Sequence, residues 1–147
     1  MYFNDGNNNW TIRQHVELPA NFFGSNGNAN DMEVLDFNND GFDDILLAST
    51  IHEPYYQSRV IQFFQNAGGN AFVDVTTNIS PDHAKYANGN PYSQWWVGQG
   101  KLHILDYDKD GDLDIIDSTT RTSVYLNNQN SFNLYDNFVD ADEDILL

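Results

Sequence analysis

The chain has 147 residues, 40% of them hydrophobic and 14% aromatic, which suits one folded domain with a modest core and excludes a chain that stays disordered. Six Lys and Arg stand against 22 Asp and Glu, and the resulting formal charge of −16 is repelled by nucleic acid and by anionic membrane surfaces. Cysteine is absent, which excludes disulfides and thiolate zinc sites, and no apolar run reaches the ~18 residues of a membrane span.

The N-terminus, Met1-Tyr2-Phe3-Asn4-Asp5-Gly6, has no basic region followed by an apolar one, so it does not read as a signal peptide. The chain reads as a mature piece, a fragment or a cytoplasmic protein. Tyr2-Phe3-Asn4 to Trp10 is an aromatic strand, an Asn/Gly turn and another aromatic. The same unit returns from Phe64-Gln65-Asn66 to Phe72 and from Tyr125-Leu126-Asn127 to Phe132, so Asn4, Asn66 and Asn127 stand 62 and 61 positions apart. A second repeated unit is an acidic loop followed by an apolar run: Asp36 to Asp44 before Ile45-Leu46-Leu47, and Asp106 to Asp114 before Ile115-Ile116.

The segments between the turns are short and rich in β-branched and aromatic residues, and none shows a sustained helical period. Four strands are expected near 32–36, 44–50, 59–65 and 71–76, and four more near 101–106, 114–118, 122–127 and 131–135. The fold class is all-β: propeller blades of four antiparallel strands, two complete and one partial. The whole of 1–147 forms one segment. Residues 1–17 hold the last two strands of a preceding blade, 32–76 form blade A, and 101–135 form blade B. Residues 136–147 start another, because Asp144-Ile145-Leu146-Leu147 echoes Asp44-Ile45-Leu46-Leu47.

Nine of the 22 acids fall in the two windows 36–44 and 106–114. Both fit D-x-[DN]-x-D-G-x-x-D. Positions 1, 3 and 5 present oxygens to one centre, Gly at position 6 permits a sharp turn, position 7 offers a carbonyl, and position 9 closes the cage. The candidate ligands are Asp36, Asn38, Asp40, the Phe42 carbonyl and Asp44, then Asp106, Asp108, Asp110, the Asp112 carbonyl and Asp114. An all-oxygen cage suits Ca²⁺ better than Mg²⁺, which gives up its water reluctantly. Two bound Ca²⁺ would bring −16 to −12. The rival EF-hand needs flanking helices and a bidentate acid at position 12, where this chain has Leu47 and Asp117. A solvated acidic turn without metal is the plain alternative.

At these residues, with Asp44-Ile45-Leu46-Leu47, Asp114-Ile115-Ile116 and Tyr125-Leu126-Asn127-Asn128 before Phe132, the chain resembles the FG-GAP/VCBS repeat family, the calcium-braced propeller blades of integrin α-subunits and many secreted bacterial proteins. The resemblance implies that calcium ties the loop between a blade's first two strands. It departs from the family pattern in two ways: a full propeller takes about seven blades, and the turn Asn127-Asn128-Gln129-Asn130 lacks the usual glycines.

Insertions rich in aromatics lie in Ile51 to Ser58 and Ser80 to Gln99. Flat rings with Asn, Gln and His on loops suit glycan or peptide recognition, and His52, Tyr55, Tyr56, Tyr92, Trp95 and Trp96 are the candidate contacts. The bland reading packs Trp95 or Trp96 between blades and leaves 52–56 as an ordinary solvated loop. His52-Glu53 lacks the second His of a zinc protease, and no phosphate-cradling loop is present, so no enzyme is expected. The expected function is a calcium-stabilised extracellular or cell-surface binding or adhesion module with a glycan or protein ligand. It would be part of a longer chain or a homo-oligomer completing a propeller. The alternatives are an ancillary piece of a polysaccharide-active enzyme and a purely structural repeat.

Overall fold

Asn- and Gly-rich turns cut the chain into strands too short to fold alone, and pairing in fours buries them. The computed structural model describes residues 16–51, 57–68, 71–80, 101–118 and 122–139. Among these, β1 (Gly27–Leu35), β2 (Asp44–Ile51), β3 (Gln57–Asn66) and β4 (Phe72–Asp74) form one antiparallel sheet in sequence order. β5 (Lys101–Leu105), β6 (Asp114–Ser118), β7 (Thr122–Asn127) and β8 (Phe132–Val139) form a second. The all-β class and the up-and-down order agree with blades.

Four boundaries differ from expectation by two residues or more, the start of β3 at Gln57 among them. β1 begins at Gly27, five residues early, through a stretch of turn-forming Asn, because its backbone pairs with Ala48 to Ile51 of β2. The register shifts between Ala29 and Asp31, a bulge that re-aims the side chains beyond it. β4 stops at Asp74, where the carboxylate accepts the N–H of Thr76 (3.0 Å) and starts a single helical turn, α1 (Thr76–Ile79). β8 runs on to Val139.

Side chains alternate across each strand, so the register assigns faces. Leu46, Ala48, Ile61 and Phe63 of the first sheet meet Leu102, Ile115, Tyr125 and Phe132 of the second in one buried cluster, joined by Phe37 from the first acidic loop. Phe63 sits at its centre, 5.7 Å edge-on from Phe37 and 4.9 Å from Phe132. Past the bulge Asp31 faces the second sheet, and its Oδ2 accepts the N–H of Leu102 at 2.8 Å. The opposite face of the first sheet is held by Gln62, fully buried. Its Oε1 accepts the N–H of Phe22 (2.8 Å), and its Nε2 donates to the Ala20 carbonyl (3.1 Å) and to Asp74 Oδ2 (2.8 Å).

The β7–β8 turn closes without glycine. Asn128 and Ser131 exchange backbone bonds of 2.9 and 3.2 Å, while Gln129 (φ 51°) and Asn130 (φ 68°) take left-handed conformations. This two-residue geometry matches the twist of the strands it joins. Asn adopts this conformation at little cost and Gln at more, so Gln129→Gly is expected to raise stability by about 0.5–1 kcal/mol. Chemical denaturation checks this through a higher midpoint at unchanged slope.

Candidate metal centres

Each acidic loop joins the first two strands of a sheet. Gly41 (φ 89°) and Gly111 (φ 99°) sit at position 6. A Cβ at either would meet nothing within 4 Å, so backbone conformation and not space demands glycine there. Position 4, Asn39 (φ 58°) and Lys109 (φ 65°), is left-handed too, and together these residues coil the loop so that its carboxylates turn inward.

In the first loop Asp36 Oδ1 and Asn38 Oδ1 both accept the N–H of Asp40, at 3.0 and 2.9 Å, which sets the two oxygens side by side. Asp36 Oδ2 accepts from Gly41 (2.8 Å), and Asp40 Oδ1 from Phe42 (3.0 Å). The Phe42 N–H and the Asn38 amide hold the Asp40 carboxyl below its ordinary value. The second loop repeats the pattern: Gly111 N–H to Asp106 Oδ2 (3.2 Å), Asp110 N–H to Asp108 Oδ1 (3.2 Å) and Asp112 N–H to Asp110 Oδ1 (2.9 Å). Here Asp106, Asp108 and Asp114 each bring a carboxylate oxygen within 4.8 Å of the others. The Asp108 carboxyl is pushed up by partial loss of water within the loop, and the charges of Asp110 and Asp114 add to this. Three anionic oxygens at that spacing fit the donor set of a hard cation and repel one another without it.

Position 9 is built differently from the rest. Asp44 and Asp114 are fully buried at the base of their loops. Asp44 Oδ2 accepts from Phe37 (3.2 Å) and Oδ1 from Asn66 (2.7 Å); Asp114 Oδ2 accepts from Tyr107 (2.7 Å) and Oδ1 from Asn127 (2.8 Å). Burial pushes the Asp44 carboxyl up, and the two N–H donors only partly oppose it. Sequence spacing placed this acid in the cage but did not indicate its two backbone partners. Asn66 and Asn127, noted in the sequence only as repeated turn residues, supply one partner each. Phe42 is exposed at the rim and Asp112 half-buried. His52, Tyr55, Tyr56, Tyr92, Trp95 and Trp96 lie outside the described residues, as do residues 1–15 and 140–147.

No described helix is long and apolar enough to cross a membrane. A family model described as an FG-GAP-like repeat matches residues 36–117, more than half of the chain, from the first acid of the first loop to the end of the apolar run after the second. No curated protein and no solved structure matches the chain significantly.

Proposed function

We propose, since the chain belongs to the FG-GAP-like repeat family, that its two acidic loops are structural calcium sites in an extracellular binding module. The observation that carries this is the gathering of Asp106, Asp108 and Asp114 oxygens within 4.8 Å. In the second loop Asp106, Asp108, Asp110, the Asp112 carbonyl and Asp114 would hold the ion. In the first, Asp36, Asn38, Asp40, the Phe42 carbonyl and Asp44 would do so with one charge fewer. The ion's work is electrostatic: it cancels the repulsion among carboxylates that the loop conformation forces together. Extracellular calcium is abundant enough to fill sites of modest affinity. The aromatic insertions within 51–58 and 80–99 are the segments we assign to glycan or protein ligands, on their composition alone.

Thermal unfolding at equal ionic strength, in EDTA and in millimolar Ca²⁺, tests the sites. An ion at a hundred times its Kd adds about 2.7 kcal/mol per site, so the midpoint is expected to rise by several degrees, and less with Mg²⁺. Asp110→Ala is expected to remove part of that rise and to leave the EDTA midpoint almost unchanged. Equal midpoints in EDTA and Ca²⁺ for the unaltered chain would refute calcium binding.

A further inference from the structure

We infer that Asp44 and Asp114 are positioning residues that fasten each acidic loop to the last hairpin of its own sheet, through a bridge that stands without the ion. The bridge is the same in both sheets. One carboxylate oxygen takes the N–H of the loop's second residue, Phe37 or Tyr107. The other takes the N–H of the asparagine that ends the third strand, Asn66 or Asn127.

That asparagine carries the connection onward. Asn66 Oδ1 accepts the N–H of Gly68 (3.0 Å) and Asn127 Oδ1 accepts that of Asn130 (3.0 Å), so its side chain shapes the turn leading to the fourth strand. In the first sheet Asn66 Nδ2 also donates to the Asp43 carbonyl at 3.0 Å, back onto the acidic loop. This accounts for the recurrence of Asn at the third-strand end in two repeats with different turns, one containing Gly68 and one without glycine.

The bridge is buried and the rest of the cage is not. Asp44 and Asp114 are 0% exposed, whereas Asp40, Asp108 and Asp110 are exposed. A carboxylate out of water needs each oxygen satisfied, and here backbone N–H groups do that on both. The ninth acid therefore does two things where the first, third and fifth do one: besides bringing an oxygen to the cage, it fixes where the loop sits. Loop and hairpin turn move as one unit, so loading the loop should be felt at the turn.

The inference rests on the calcium reading for its second arm alone. Amide hydrogen exchange of the full chain in EDTA tests the bridge directly. In Asp114→Ala, Tyr107 and Asn127 are expected to exchange about tenfold faster or more, the factor set by losing a bond worth about 1.4 kcal/mol. In Asp110→Ala both should stay within about twofold of the unaltered chain. Asp114→Asn, which keeps one acceptor oxygen and the side-chain shape, should restore protection at one of the two amides; it also serves if the alanine variant does not fold. Unchanged exchange of Tyr107 and Asn127 in both Asp114 variants would overturn the bridge. In the second arm, calorimetry gives the heat of Ca²⁺ binding to the unaltered chain, and the bound ion should slow exchange at Asn130. If Ca²⁺ leaves Asn130 untouched while binding heat is present, the coupling is refuted. Absence of binding heat refutes the calcium sites and leaves the EDTA result to decide the bridge.

Discussion

Phe63→Ala is expected to be among the most damaging single substitutions in the described core, costing about 3–5 kcal/mol. The ring is 1% exposed and fills the space between the two sheets, against Phe37 on one side and Phe132 on the other. Removing it leaves a cavity that neither sheet can close without sliding on the other, because strand pairing fixes both backbones. At about 3 °C per kcal/mol for a chain of this length, the melting midpoint should fall by roughly 10–15 °C. Phe37 belongs to the first acidic loop, so that loop loses its packing partner; on the proposed calcium reading the first site should weaken and the second should not. Val73→Ala, at a site 50% exposed, is the matched control and should change stability by no more than about 0.5 kcal/mol. A Phe63→Ala midpoint within a few degrees of the unaltered chain would show that the two sheets do not share a core.

Gln62→Leu should cost about 1–2 kcal/mol, although it replaces a polar residue in a strand with an apolar one of similar size. The reason is the partners left behind. The Phe22 N–H, the Ala20 carbonyl and Asp74 Oδ2 all lose a bond to this one amide. A fully buried group orphaned in this way costs about 1–3 kcal/mol, and here water takes up part of the loss, because Phe22 is half-buried and Ala20 and Asp74 are exposed. Asp74 keeps its bonds from Thr76, so the loss should concentrate on the segment 20–22 that lies against the first sheet. Limited proteolysis should then cut near Ala20 to Phe23 sooner than in the unaltered chain. Undiminished stability with an unchanged cleavage pattern would mean the amide does not hold that segment. Ser123 stands at the corresponding position of the second sheet, equally buried and with a shorter side chain.

The residues themselves determined the acidic loops, the glycines at their sixth position, the all-β class and the grouping of strands in fours. These are local properties: a left-handed backbone needs glycine or asparagine wherever it occurs, and strands joined by short turns pair with their neighbours in sequence. The start of β1 was not legible, because Gly27 to Asp31 reads as turn until β2 lies beside it and supplies the hydrogen bonds. The differing roles of identical motif positions were not legible either. Phe37 and Tyr107 both follow the first acid of a loop, yet Phe37 is 3% exposed against Phe63 and Tyr107 is 41% exposed. Asp44 and Asp40 differ by four residues in one acidic run, yet one is buried between two backbone N–H groups and the other faces water. Periodicity fixes which way a side chain points along its own strand or loop. What it meets there depends on a second sheet or a third strand packed from elsewhere in the chain, and burial and hydrogen bonding are properties of that meeting.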